Sequence, residues 1–170
     1  MRVVILGNSG AGKSTLAKAV AERHQLPHTD LDTVVFDPAR VGVMRTDAAI
    51  RHDLTALATT NTWVGEGSYG RWAGHLAARA THFVFLNPPM AVCLDHHRSR
   101  PWEPHKYADP AEQAARLPML EAWVRRYPTR DDDFGERAHR AVFETVACAR
   151  LEAVDAREVL AWLACASRPG

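Results

Sequence analysis

Short apolar runs alternate along the chain with stretches of helical periodicity, the pattern of a parallel sheet wrapped by helices. Val3 to Leu6 is a mostly β-branched run without polar alternation, which predicts a central strand buried on both faces. Thr15 to His24 follows with Leu16, Ala19 and Val20 on one helical face. A second strand is expected to end at Asp30-Leu31-Asp32. Thr33 to Arg45 holds Pro38 and Gly42 with little periodicity and reads as a loop. Thr46 can cap a helix through Thr60 that turns Ile50, Leu54 and Leu57 inward. Thr62 to Val64 and His82 to Leu86 read as the third and fourth strands. A helix then starts near Pro89 and runs towards Arg100. Pro101, Pro104 and Pro110 mark a surface excursion. Leu117 to Tyr127 is helical in pattern, with a start or kink at Pro118. Asp131, Asp132 and Asp133 suit the first turn of another helix. Val146 to Leu151 is a fifth strand, and Asp155 caps a last helix carrying Val159, Leu160 and Leu163.

Composition narrows the class without naming it. At 170 residues, 46% hydrophobic and 24% charged, the chain fits one folded domain spanning 1–170 and leaves no room for two full cores. With 21 Lys+Arg against 20 Asp+Glu, the net charge of +1 argues against a dedicated nucleic-acid binder. It leaves room for a local basic pocket that takes a small anion. Cys93, Cys148 and Cys165 are odd in number and widely spaced, which reads as buried thiols in a reducing, cytoplasmic compartment. No apolar run is long enough to span a bilayer or to form the core of a signal peptide, so no membrane partner is expected. The composition is silent on oligomeric state.

One motif carries definite chemistry. Gly7-Asn8-Ser9-Gly10-Ala11-Gly12-Lys13-Ser14 matches GxxxxGK[ST] at every fixed position, and Thr15 continues into the helix. The strand before it and the helix behind it supply the context the motif needs. Successive backbone N–H groups there can wrap phosphates, aided by the positive end of the helix dipole. Lys13 would bridge the terminal phosphates, and the Ser14 hydroxyl would take one Mg²⁺ position. The motif thus points to a nucleoside triphosphate with Mg²⁺ and leaves ATP and GTP both open; ATP and Mg²⁺ are the cofactors expected on the kinase reading that follows.

The order of motifs resembles the small P-loop kinases of the nucleoside-monophosphate, shikimate and gluconate kinase superfamily. In pattern it is most similar to the adenylate kinase-related group labelled topology-modulation or FlaR-like proteins. The shared residues are GNSGAGKST, then LPHTDLD, then Trp63-Val64-Gly65-Glu66-Gly67-Ser68-Tyr69, then LNPP before an arginine-bearing helix. The resemblance implies a three-layer α/β sandwich: a five-stranded parallel sheet with helices on both faces and a short lid. It implies that Asp30 lies near Mg²⁺ and that Asp32 orients or deprotonates the acceptor hydroxyl; on the residues alone, these acids could simply open a loop. Glu66, where relatives often carry Asp, would hold Mg²⁺ through water. Gly67, Tyr69 and Arg71 would line the acceptor pocket, although a solvated turn explains Ser68 and Tyr69 nearly as well. His96 falls where the superfamily has an arginine that touches adenine. Arg100 matches a second arginine that reaches the phosphates, and the neighbouring Arg98 can substitute for the missing one. Residues 100–116 would form the lid, and one of Arg116, Arg125, Arg126 and Arg130 can reach the phosphates. Asp155 sits where adenine is packed, and it equally suits a helix cap.

The stretch 33–61 carries Arg40, Arg45 and Arg51, which could hold an anionic acceptor. The expected activity is transfer of the ATP γ-phosphoryl group to a nucleoside monophosphate or another small metabolite. The alternative is a nucleotide-binding regulatory module or slow NTPase without a dedicated acceptor, left open by Asn87 in place of an acid and by His96. The adjacent His96 and His97 point in different directions on a helix, which is poor geometry for chelating a metal.

Overall fold

The computed structural model describes residues 1–40, 42–102 and 108–166. Its strands are β1 (Arg2–Gly7), β2 (His28–Asp30), β3 (Trp63–Gly67), β4 (His82–Leu86) and β5 (Ala149–Ala153). All pair in parallel, in the order β2–β3–β1–β4–β5. The expected five-stranded parallel sheet is therefore present, with β1 at its centre. The helices are α1 (Lys13–His24), α2 (Asp32–Val35), α3 (Asp47–Thr59), α4 (Gly70–Ala77), α5 (Met90–Arg98), α6 (Pro110–Arg125), α7 (Glu136–Thr145) and α8 (Ala156–Ala166).

Strand alternation divides the core between the two faces of the sheet. Val3 and Ile5 turn to one side, where Leu16 and Val20 of α1, Leu94 of α5 and Val159 and Leu163 of α8 pack. Val4 and Leu6 turn to the other, against Ile50 and Leu54 of α3 and Trp72 and Leu76 of α4. Each of these four β1 side chains is fully buried, and burying an aliphatic side chain of this size stabilises by roughly 1.5–3 kcal/mol. Because β1 is flanked by β3 and β4 while β2 lies beyond β3, the strand order reverses beside β1. Ligand crevices in open α/β sheets form at such a point, at the carboxyl ends of the strands.

Several elements differ from the sequence reading, each for a local reason. The second strand stops at Asp30, and Asp32 opens α2 within the stretch read as loop; a bridge between Phe36 and Met44 closes the rest of that excursion. β3 continues to Gly67, because Val64 to Gly67 pair with β1 while Val64 to Glu66 pair with β2. α4 has no counterpart in the reading, since two glycines dilute its short apolar face. α6 begins at Pro110, capped by the Asp109 side chain accepting from the Glu112 N–H at 2.8 Å, and it continues through Pro118. The three aspartates precede α7 instead of opening it. Asp133 instead caps α4, its carbonyl accepting from the Gly70 N–H and its carboxylate from the Arg71 N–H. β5 lies three residues later than expected at its start. Of the thiols only Cys93 is buried; Cys148 is half-buried and Cys165 exposed. Among the described residues no helix is long and apolar enough to cross a membrane. Residues 103–107, the middle of the expected lid, lie outside the described residues.

One polar group is locked into this core. His139 of α7 is fully buried; its Nε2 donates to the Ser68 carbonyl at 2.9 Å, and its Nδ1 accepts from the Tyr127 hydroxyl at 2.9 Å. A carbonyl can only accept, so Nε2 carries a hydrogen, and it is burial that keeps the ring neutral near pH 7 with Nδ1 free to accept. Burial lowers its pKa to about 4. The unfolded chain, with an ordinary histidine near 6.5, takes up a proton before the folded one does. Stability is therefore complete above about pH 6.5 and is lost as pH falls towards 4, by on the order of 3 kcal/mol from this group. Urea midpoints for the wild type are expected to fall between pH 7.5 and 5, and more steeply than those of His139→Gln. Equal slopes for the two proteins would contradict this assignment.

Candidate active site

β1 ends at Gly7 on the crevice, and the loop to α1 is set by backbone geometry. Gly10 and Gly12 have φ of 78° and 91°, in the left-handed region where a side chain is strained. A Cβ on Gly10 would collide with the Cys93 carbonyl oxygen and come within 2.8 Å of the His97 ring. Gly12, by contrast, has only the His96 Cε1 near, at 3.9 Å. α1 therefore starts on a glycine, with no side chain capping its first turn, and its leading N–H groups remain available to an anion. The Lys13 ammonium is buried and donates to the Asn8 carbonyl at 2.9 Å. Burial lowers its pKa, and the carboxylates of Glu66, Asp32 and Asp30 oppose that shift.

Those acids come from the neighbouring strand ends. Asp30 pairs in register with Glu66, which in turn pairs with Ile5 of β1. Glu66 is buried, and burial raises its pKa against the pull of Lys13 and a hydrogen bond from Ser14. Its Oε1 has no hydrogen-bond partner among the described residues, and His28 Nε2 lies 3.7 Å away. A buried carboxylate oxygen left unpaired beside a serine hydroxyl is a donor set suited to a hard cation. No cluster of three or more His, Cys, Asp or Glu among the described residues could hold a metal by itself. The residues would therefore suit a divalent cation only if a bound ligand supplied the rest of its coordination.

Asp32 is not at the end of a strand as expected, because β2 stops at Asp30. It lies at the start of α2, and Asp30 still orders it by accepting from its N–H at 2.9 Å. The Asp32 carboxylate accepts from the Tyr69 hydroxyl at 2.6 Å. Tyr69 is buried against Phe36 and Phe134, and burial followed by the Asp32 charge raises its pKa, so it stays a donor. Tyr69 therefore holds Asp32 and does not line the acceptor space.

A cavity of about 870 Å³ joins these parts. The loop from Ser9 to Thr15, Asp30, Asp32, Glu66, Gly67 and Ser68 line it. His96, Arg100, Trp102 and Asp155 line it as well, together with Lys18, which has no signal in the motif beyond its charge. Asp155 also caps α8 as expected, accepting from the Arg157 N–H at 2.7 Å.

The histidine pair, unsuited to chelation, serves the loop. His96 Nδ1 lies 2.7 Å from the Gly10 carbonyl oxygen, and His97 Nε2 lies 3.1 Å from the Ser9 hydroxyl. Sequence spacing alone could not show this, because the contact depends on how α5 crosses the loop.

Other expected site residues stand elsewhere. Arg98 is bound by Glu121 through two hydrogen bonds of 2.7 and 3.1 Å, tying α5 to α6, and is not among the cavity-lining residues. The acceptor-side cations are likewise held on other partners: Arg40 by Asp37, Arg45 by Asp53 and Arg71 by Asp47. Arg71 also stacks over Trp72 at 4.5 Å, with Arg51 at 5.7 Å from the same ring. Of the arginines expected near the lid, Arg116 and Arg125 pair along their own helix with Glu112 and Glu121. Arg130 stacks on Trp123 at 3.5 Å and pairs with Asp132.

No family model matches the chain, and no curated protein matches it in sequence. Solved structures do. A shikimate kinase from Acinetobacter baumannii in complex with shikimate aligns over 99% of this chain and 95% of its own, at TM-score 0.58 and 16% identity. A shikimate kinase from Bacteroides thetaiotaomicron aligns over 96% and 98%, at 0.59 and 20%. A gluconokinase from Sinorhizobium meliloti aligns over 98% and 93%, at 0.55 and 22%. The chain has the fold of the small P-loop kinases.

The loop geometry separates two glycines that look equivalent in the motif. Gly10→Ala meets both backbone strain and a collision with α5, and should cost about 2–4 kcal/mol of stability, against about 1 kcal/mol for Gly12→Ala, which meets strain alone. Chemical denaturation of both variants checks this, and equal losses would contradict it.

Proposed function

We propose that this protein is an ATP- and Mg²⁺-dependent phosphotransferase that acts on a hydroxyl-bearing small molecule. The observation that carries the reading is one continuous cavity from the phosphate-binding loop to Asp32, whose carboxylate is aimed by Tyr69. The loop amides and Lys13 would hold the polyphosphate, with Lys13 leaving the Asn8 carbonyl for the terminal phosphates. Ser14 and Glu66, with Asp30 close by, would hold Mg²⁺, which neutralises phosphate charge when bound. Asp32 would accept the hydrogen bond of the acceptor hydroxyl and take its proton as that oxygen bonds to the γ-phosphorus, while the bond from this phosphorus to the bridging oxygen breaks and ADP leaves. Arg100 sits at the start of the lid stretch, on the same cavity, where it can meet charge on the transferring group. His96 and Asp155 would flank the nucleotide.

The acceptor side favours a hydroxyl compound over a nucleoside monophosphate. Arg40, Arg45 and Arg71 are paired with aspartates, and Arg51 lies over Trp72, so these four cations do not form a phosphate clamp. Gly67, Ser68 and Asp32 present backbone, hydroxyl and carboxylate instead. Such groups read hydroxyls by direct hydrogen bonds. Shikimate and gluconate, named for the structural neighbours, are the first compounds to try.

ADP release is to be measured across a panel of hydroxy acids, polyols and nucleoside monophosphates, each against the acceptor-free rate. A hydroxyl acceptor that multiplies the rate supports transfer; the same rate with every acceptor would make the protein a slow NTPase. Lys13→Ala is expected to lower turnover by about a hundredfold or more while the fold is retained. Asp32→Asn should lower transfer by roughly 10²–10⁴-fold and leave ATP affinity nearly unchanged. Equal losses in both quantities would place Asp32 in metal binding instead.

A further inference from the structure

We propose that His96 is a proton-linked ligand of the nucleotide's phosphates, taking up a proton at Nε2 when the polyphosphate binds. The inference rests on the nucleotide reading above and deepens it. It starts from tautomer logic. The Gly10 carbonyl oxygen, 2.7 Å from Nδ1, can only accept, so Nδ1 carries a hydrogen in every state that keeps this contact. Neutral His96 then has a lone pair on Nε2. That atom has no protein partner among the described residues, and the ring is exposed and lines the cavity. Cε1, bonded to both ring nitrogens, lies 3.9 Å from where a Gly12 Cβ would be, so the free edge of the ring runs along the loop mouth.

An unprotonated Nε2 would turn a lone pair towards phosphate oxygens, which also carry only lone pairs. Protonation turns that clash into a charge-assisted hydrogen bond. Imidazole is the side chain for which this change is accessible near neutral pH. The Gly10 contact meanwhile keeps the ring oriented.

The surrounding charges pull in both directions. From the loop and α1, Lys13 and Lys18 share the cavity, and from the end of α5 comes Arg100; all three oppose a further cation. Asp30, Asp32 and Glu66, which line the same cavity, favour one, although they also engage Lys13. Asp155, ahead of α8, is paired with Arg157. On α5 itself Asp95 pairs with Arg98, the buried Cys93 thiol has its pKa raised by burial, and His97 is occupied with the Ser9 hydroxyl. The entering polyphosphate is the large change in this balance, which is why proton uptake accompanies binding.

The test is calorimetry with the Mg²⁺ complex of β,γ-imido-ATP at pH 7, in two buffers of different ionisation enthalpy, Tris and PIPES. For the wild type the apparent binding enthalpy should differ between buffers by an amount matching uptake of a few tenths of a proton, and affinity should weaken by about threefold to tenfold from pH 6 to 8. In His96→Gln, which keeps a donor for Gly10, both effects should shrink. His97→Gln, which removes the other loop contact, should retain them. Thermal midpoints confirm that each variant is folded. Identical buffer dependence in the wild type and His96→Gln would overturn the assignment while leaving nucleotide binding intact. An absence of heat in every protein would instead overturn the nucleotide reading, and this inference with it.

Discussion

The site depends on a buried ammonium in a loop made almost entirely of backbone. Lys13 sits behind two left-handed glycines, on the Asn8 carbonyl, with three carboxylates from β2, α2 and β3 facing it. Burying a charge in this way is costly unless it is hydrogen-bonded and opposed by opposite charge. The sheet order supplies that opposition, because placing β3 between β1 and β2 brings Glu66 and Asp30 beside the end of β1. The arrangement is complete as a charge cluster yet leaves the first N–H groups of α1 without a side-chain cap. An anion that brought its own cation would satisfy both the amides and the unpaired oxygen of Glu66.

A second layer of contacts keeps this cluster in place. Tyr69 fixes Asp32, and His139 holds the Ser68 carbonyl while Tyr127 holds His139. These contacts run from the turn after α6 and from α7 to the turn after β3. Acceptor-side geometry therefore depends on elements distant in sequence from any motif. The clasp of His96 and His97 on the loop works in the same way from α5.

What the sequence could disclose follows from how local each signal is. β1, the loop and α1 were legible because a strand, a fixed glycine spacing and a helix stand next to one another. β4 was legible as an uninterrupted apolar run, and α3 because Thr46 caps it and its apolar spacing is regular. Asp32 was identified as a site residue through the resemblance, but its placement on a strand was wrong, since the chain turns into α2 one residue after Leu31. The acceptor arginines were chosen for their charge, and charge alone does not say which group stands opposite: Arg51 lies over the Trp72 ring, and Arg40, Arg45 and Arg71 pair with aspartates. Asp47 and Asp53, which hold Arg71 and Arg45, lie on α3. Asp133 misled in a related way: it suited the helix that follows it in sequence, yet it caps one that comes 60 residues earlier. Tertiary contacts decide the placing of Arg71 and Asp133, and no window of local pattern contains them.

The central claim is that main-chain amides from residue 10 to residue 15 bind a polyphosphate. Hydrogen exchange resolved to individual amides in that segment, with and without saturating Mg²⁺-ATP, tests it most directly. The account predicts that these amides slow markedly on addition of nucleotide while those of β5 and α8's outer face stay as they were. Unchanged exchange across the segment at saturating nucleotide would contradict it.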